Sequence, residues 1–111
     1  MAQSEQDRST QLNEHVGAVA FLGKTLSDEN RLRILLTLRS GRKSVSRIVE
    51  ELGLSQPLVS HHLKELKRSL VVKVERKGPF VYYEPADARV FDIVTAIADL
   101  ADDLISQRST F

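Results

Sequence analysis

The residues best equipped for chemistry in this 111-residue chain are polar and cationic side chains that follow Ser55 at helical spacing. Their amide, hydroxyl, imidazole and ammonium groups are the types that bind base edges and phosphates of nucleic acids. They are Gln56, Ser60, His61, Lys64, Lys67 and Arg68. A second basic pair, Arg76 and Lys77, precedes Gly78-Pro79. These residue types predict a binding surface rather than a reaction centre.

A predicted helix, a tight turn and a second helix position the first group. Gly53 can adopt the positive φ that ends a helix, Ser55 can cap the next helix, and Pro57 fits its first turn. Two short helices joined by a Gly-containing turn are typical of the DNA-binding helix-turn-helix, whose second helix enters the major groove. The alternative is an ordinary solvated amphipathic helix. In either case, the helix that follows Ser55 is predicted to bury an apolar face, which comprises Leu58, Val59, Leu63, Leu66 and Leu70.

A basic β-hairpin is predicted directly after this helix, because β-branched and aromatic residues favour strands. Residues 71–74 and 80–83 form the strands, and Arg76-Lys77-Gly78-Pro79 forms the turn. At this place in the chain the hairpin is predicted to be a wing that reaches the DNA backbone or minor groove. The alternative is an ordinary solvated turn. Arg42 and Lys43 are expected to add a short third strand.

The charge distribution favours a polyanionic partner. Residues 31–77 contain twelve Lys and Arg but four Asp and Glu, whereas the flanking segments are acidic. A basic centre suits nucleic acid, although a membrane surface or an acidic protein would also match the charge alone. The chain has no cysteine, no apolar run of about 20 residues and no signal-peptide core. We therefore expect one cytoplasmic domain without disulfides, thiolate metal sites or a membrane span.

The remaining segments are predicted to be helical after a flexible tail over residues 1–10, within a domain spanning residues 11–106. A first helix runs from Gln11 to Lys24. A second helix is capped by Ser27 and has a buried face with Ile34 at its edge. That face comprises Leu32, Leu35, Leu36 and Leu38. A third helix is capped by Ser44 or Ser46, and Asp87 is expected to cap the last helix, from about Ala88 to Ser106.

The last helix carries a regular apolar pattern that predicts a dimer interface. Val90, Ile93, Ile97, Leu100 and Leu104 alternate in steps of three and four, which is the spacing of a heptad seam. We expect this seam to pair with Leu12 and Val16 of the first helix and with its copy in a second chain. The alternative is that it only closes its own core. A symmetric dimer would place two reading helices about 34 Å apart.

Three segments together resemble the ArsR/SmtB family of winged-helix transcriptional repressors. They are residues 26–35 (LSDENRLRIL), 54–66 (LSQPLVSHHLKEL) and 78–83 (GPFVYY). The resemblance implies a mainly α (α+β) winged helix-turn-helix of about five helices with a β-hairpin wing. It implies a homodimer, formed by the first and last helices, that represses at a palindromic double-stranded operator until an inducer weakens binding. The implied DNA contacts are Ser55, Gln56, Ser60, His61, Lys64, Arg76 and Lys77.

The sequence departs from the metal-sensing members of that family. Residues 45–52 lack the Cys-x-Cys motif of the arsenic and cadmium sensors, and the last helix has aspartates but no histidine. His15 and Glu14, together with aspartates of the last helix across the dimer, are the candidates for a Ni²⁺ or Zn²⁺ site. Otherwise we expect no cofactor, and the inducer is a small organic ligand, a protein partner or absent. His61 and His62 are predicted to serve DNA contact and structure rather than metal binding.

The residues do not predict an enzyme. The chain has no Cys nucleophile, no Gly-rich phosphate loop and no His-Glu-x-x-His helix. The rival class is a protein-interaction module built on a winged helix. Salt dependence separates the two, because phosphate contacts release counterions and a protein-binding wing shows no such response to oligonucleotides.

Overall fold

The computed structural model describes residues 2–108, with side chains described from residue 7 onward. Within that range the chain forms six α-helices and one antiparallel hairpin, so the predicted mainly helical winged helix-turn-helix is confirmed. The elements are α1 (Ala2–Glu14), α2 (Val16–Thr25), α3 (Glu29–Thr37), α4 (Val45–Leu52), α5 (Gln56–Arg68), β1 (Val72–Lys77), β2 (Phe80–Pro85) and α6 (Arg89–Arg108). A short 3₁₀ turn, Leu38–Ser40, follows α3.

The helix ends follow local side-chain chemistry. Ser44 accepts a hydrogen bond from Arg47 N at 3.2 Å, and Ser55 accepts one from Leu58 N at 3.3 Å. Gly53 adopts φ +66°, as predicted for the turn between α4 and α5. The cap of α3 differs from the prediction. Asp28 accepts from Arg31 N at 2.9 Å, whereas the Ser27 hydroxyl donates to the Lys24 carbonyl.

The amino-terminal helix prediction is wrong in its bounds. One helix from Gln11 to Lys24 was expected, but α1 ends at Glu14 and α2 begins at Val16. His15 has φ −106° and ψ 13°, which lies outside helical geometry and breaks the chain into two helices. Residues 2–10 are helical in α1, and their assignment to a flexible tail outside the domain stays a prediction.

The core lies between α3, α4, α5 and the hairpin. It comprises Ile34, Leu35, Leu38, Ile48, Val59, Leu63, Leu66, Val71, Val72 and Val90. Two predictions about this core are wrong. Ile34 is fully buried at its centre rather than at the edge of α3. Leu70 is 80% exposed, because α5 ends at Arg68 and Leu70 takes φ +64° where the chain turns into β1.

The hairpin is held to the helices at its base. Tyr83 N donates to the Lys43 carbonyl at 2.8 Å, and Lys43 N donates to the Tyr83 carbonyl at 3.0 Å. The predicted short third strand is therefore reduced to one isolated bridge, and the sheet has two strands. At the open end of the hairpin, Ala86 N donates to the Val71 carbonyl at 2.9 Å and extends the pairing of β1 with β2. Asp87 Oδ1 then accepts from Arg89 N and caps α6 as expected. No helix within residues 2–108 is long and apolar enough to span a bilayer.

Candidate nucleic-acid interface

Helix α5 presents a polar face because its opposite face is fixed in the core by Val59, Leu63 and Leu66. Positions 56, 60, 64 and 67 follow one another at steps of four, four and three, so they lie along one side of the helix. Gln56, Lys64 and Lys67 are exposed and Ser60 is half-buried. Gln56 Nε2 donates to Ser60 Oγ at 3.0 Å. This contact orders the amide before any ligand arrives.

The two adjacent histidines of α5 have different environments. His61 is exposed, whereas His62 is buried and its Nε2 lies 3.6 Å from Asp28 Oδ1 at the start of α3. Among the described residues His62 Nδ1 has no hydrogen-bond partner. Burial lowers the pKa of His62, although the Asp28 carboxylate opposes this effect. Because it is buried, His62 is a packing residue, and the exposed His61 is the histidine of this pair that is available to a ligand.

The wing differs from its predicted form at the tip. Lys77 pairs with Phe80, so the turn consists of Gly78 and Pro79 alone, and Gly78 takes φ +61°. Arg76 and Lys77 thus belong to β1. Because successive strand residues point to opposite faces, these two cations lie on opposite sides of the hairpin. Lys77 Nζ lies 3.8 Å from Glu75, and no residue of the described range forms an ion pair with Arg76.

A basic cleft separates the carboxyl end of α5 from the wing. Its volume is about 560 Å³ and its lining combines three cations with apolar residues. The lining residues are Lys67, Leu70, Val72, Lys73, Val74 and Arg76. Lys67 was predicted as part of the polar face of this helix, although not among the DNA contacts that the family resemblance implies. Lys73 was not predicted, because it joins the cleft only through the packing of β1 against α5.

The acidic residues of the basic region are engaged in ion pairs, one of which reaches the wing. Glu51 on α4 accepts from Lys43 Nζ and from Thr37 Oγ1, each at 2.6 Å, and these bonds lower the pKa of Glu51 to about 2. Arg42 donates to Glu75 Oε2 at 2.6 Å, which lowers the pKa of Glu75. The segment that holds Arg42 and Lys43 is therefore tied by charged contacts to α4 and to β1 of the wing.

An apolar stripe on α6 remains uncovered in the single chain. It consists of Ile93, Ile97, Leu100 and Leu104. Leu12 and Val16 are exposed as well. Val90, predicted to belong to the same set, is 8% exposed and packs in the protomer's own core, so that assignment is corrected. Several exposed apolar residues were missed, among them Val19, Phe21 and Ile105.

The proposed metal ligands do not form a site in one chain. His15 Nδ1 lies 2.7 Å from the Gln11 carbonyl, at the break between α1 and α2, whereas Glu14 is the last residue of α1. Within the described residues no three histidine, aspartate or glutamate side chains cluster. The sequence holds no cysteine, so thiolate ligands are lacking throughout. These residues do not fit a soft-metal centre.

Comparison with known proteins agrees with this architecture. The model of the family described as bacterial regulatory protein, arsR family, matches residues 28–73. The transcriptional repressor SmtB of Mycobacterium tuberculosis is 40% identical over 93 residues, which cover 83% of this chain and 69% of that protein.

Two solved structures are similar over most of the chain. The transcriptional repressor BigR from Xylella fastidiosa has a TM-score of 0.74 at 29% identity, covering 83% of this chain and 94% of that one. A homodimeric winged helix-turn-helix DNA-binding domain from Mycobacterium bovis has a TM-score of 0.71 at 33% identity, covering 79% and 84% of the two chains.

Proposed function

The chain belongs to the ArsR family of bacterial transcriptional regulators, and from this premise we propose that it represses transcription as a homodimer bound to a palindromic operator. The family consists of regulators rather than enzymes. The observation that carries the proposal is the joined surface of α5 and the wing, which is polar, cationic and outward-facing. Binding to the chromosome would place the protein in the cytoplasm.

The proposed dimer uses the apolar stripe of α6 together with Leu12 and Val16. Single exposed apolar residues are common on proteins, but a contiguous stripe on one helix marks an interaction surface. The similar Mycobacterium bovis domain is a homodimer, which supports the same arrangement here. A two-fold axis would present two copies of α5 to one side of a duplex, and it would require a two-fold symmetric operator.

Base recognition is proposed for the exposed face of α5. The Gln56 amide suits the N6 and N7 edge of adenine, and the Lys64 ammonium suits the O6 and N7 edge of guanine. Ser60 and His61 supply further hydrogen-bonding groups, and Ser55 stands at the amino-terminal end of the helix. Arg76 and Lys77 would neutralise phosphates on the two sides of the wing. Lys67 and Lys73 of the basic cleft are added to these contacts as phosphate ligands.

The release of the operator is proposed to use no thiolate-bound metal, because the chain has no cysteine. A His15 and Glu14 site that is completed by α6 aspartates of a second chain remains the alternative for Ni²⁺ or Zn²⁺. A small organic inducer or a protein partner is the other proposal. DNA binding measured in chelator, and then with nickel or zinc added, separates a metal response from the others.

The test is fluorescence anisotropy with a duplex that the protein has selected from a randomised library. Wild-type binding should weaken steeply with salt, and Gln56→Ala or His61→Ala should each weaken specific binding by about 1–3 kcal/mol per lost base contact. The control is Asp102→Ala, an exposed change on α6. Equal loss of specific and non-specific affinity would reassign these residues to phosphate contacts. Absence of any salt-dependent binding would favour the protein-interaction module.

A further inference from the structure

The tip of the wing carries an exposed aromatic ring that no core contact explains. Phe80 follows Gly78-Pro79 directly and is 59% exposed. It is absent from the hydrophobic core and from the partly buried residues that pack against it. Most hairpin tips are polar, so an exposed Phe at this position indicates a surface that binds something.

The ring is held in position by a series of side-chain contacts along one face of the hairpin. The register pairs Phe80 with Lys77 and Tyr82 with Glu75, so these four residues share that face. The Phe80 and Tyr82 rings lie 6.3 Å apart at 36°. The Arg42 guanidinium lies 4.9 Å from the centre of the Tyr82 ring and is itself anchored to Glu75. Phe80 is therefore preorganised although it is exposed.

We propose that Phe80, together with Pro79, is an apolar wedge that enters the minor groove of DNA beside the site read by α5. The proposal rests on the function proposed above. The two cations nearest the tip, Arg76 and Lys77, lie on opposite faces of β1, so a phosphate on either side of the tip would meet a positive charge. Apolar wedges of Phe and Pro are a known means of opening base steps from the minor groove. A neutral ring adds no counterion release, which distinguishes it from the neighbouring cations.

The charge of the tip favours DNA over a second protein as the occupant. No carboxylate lies on the tip itself, and the nearest one, Glu75, is held by Arg42 and approached by Lys77. An apolar ring between two cations matches a groove with anionic walls. The wedge would read the shape and deformability of the sequence, because phenyl and pyrrolidine rings carry no hydrogen-bonding group.

The test compares Phe80→Ala, Phe80→Trp and Lys77→Ala on the selected duplex across a salt series. Phe80→Ala should lose about tenfold in affinity at every salt concentration with an unchanged salt slope, whereas Lys77→Ala should lower the slope by about 1.8, because the dimer loses one phosphate contact at each of its two wings. Phe80→Trp, which keeps an aromatic ring at the tip, should bind the duplex with an affinity close to that of the wild-type protein. A 2-aminopurine base placed under the wing should brighten with wild-type protein and not with Phe80→Ala, since brightening reports unstacking.

Each result has a distinct meaning. Unchanged affinity in Phe80→Ala would show that the ring does not touch DNA. A lowered salt slope in Phe80→Ala would show that the ring acts only by positioning the neighbouring cations. Unchanged 2-aminopurine fluorescence on binding of the wild-type protein would exclude a wedge. A shift in sedimentation of the free protein would assign Phe80 to a protein interface instead. If wild type binds no duplex in a salt-dependent manner, the proposed function itself fails; normal wild-type binding with a silent Phe80→Ala overturns the wedge alone.

Discussion

Replacing Ile97 by Asp tests whether the apolar stripe of α6 is the dimer interface. Ile97 lies at the middle of the stripe, between Ile93 and Leu100, and is 54% exposed in the single chain. Because it contributes little to the protomer's own core, the substitution should leave the fold intact. In a symmetric dimer the same residue occurs twice at the interface, so one substitution introduces two carboxylates into it.

The expected magnitude follows from the exposed area. An isoleucine exposed to this degree offers on the order of 100 Å² of apolar surface, whose full burial contributes about 2.5 kcal/mol at about 25 cal/mol per Å². Two copies give about 5 kcal/mol, or three to four decades in the dimer dissociation constant. The unpaired carboxylates add a desolvation cost, so a dimer stable at micromolar concentration should become a monomer.

Sedimentation velocity across a concentration series measures the change directly. The matched control is Thr95→Asp, which places the same charge at an exposed position on the opposite side of α6. Circular dichroism should show both variants folded. Ile97→Asp should also lose most operator affinity, because one winged helix reads only one half-site. If Ile97→Asp sediments as the same dimer with the same dissociation constant, the stripe is not the interface and the reasoning is refuted.

Three further predictions concern stability and the basic cleft. Burial lowers the pKa of His62 below its ordinary 6.5, so the unfolded chain binds the proton more tightly and the free energy of unfolding falls as the pH drops below that value. Between about pH 7.5 and about pH 5.5, urea unfolding should therefore show a smaller loss of stability in His62→Gln than in wild type. Equal losses in the two proteins would contradict this prediction. Gly53→Ala should cost about 1 kcal/mol in the free energy of unfolding because of its positive φ, whereas Gly23→Ala within α2 should stabilise slightly; an added Cβ meets no atom within 4 Å at either position, so similar effects would remove the backbone explanation. Lys67→Ala should lower the salt slope of DNA binding by about 1.8 if the basic cleft of each protomer holds a phosphate, and an unchanged slope would exclude that contact.

Much of the fold followed from local chemistry and was predictable. Ser44, Gly53 and Ser55 act within a few residues of the helix ends that they define, so their roles depend on adjacent backbone groups alone. The hairpin followed from β-branched and aromatic residues interrupted by Gly-Pro. The split of the first helix at His15 was not predicted, because its geometry has no comparable signal in the residue types.

Helical periodicity identifies the predicted DNA-contacting residues of α5, but tertiary packing determines their orientation. The spacing of Gln56, Ser60 and Lys64 identifies one side of a helix, whereas only the core determines that this side faces outward. Adjacent His61 and His62 are equivalent as residue types, and the contact of α5 with the start of α3 makes one buried and the other exposed. The base contacts themselves stay a proposal until DNA binding is measured.

The sequence by itself determined the helix-turn-helix and the hairpin, because short-range hydrogen bonds and side-chain periodicity specify these elements. It also determined the basic character of the middle of the chain, which depends on residue types alone. Only the tertiary structure decided which residues meet across elements. It exposed Leu70 where α5 ends, placed Val90 in the core rather than on the apolar stripe, and brought Lys67, Lys73 and Arg76 to one cleft. The physical reason is that burial and proximity depend on the packing of distant segments, which no local pattern encodes.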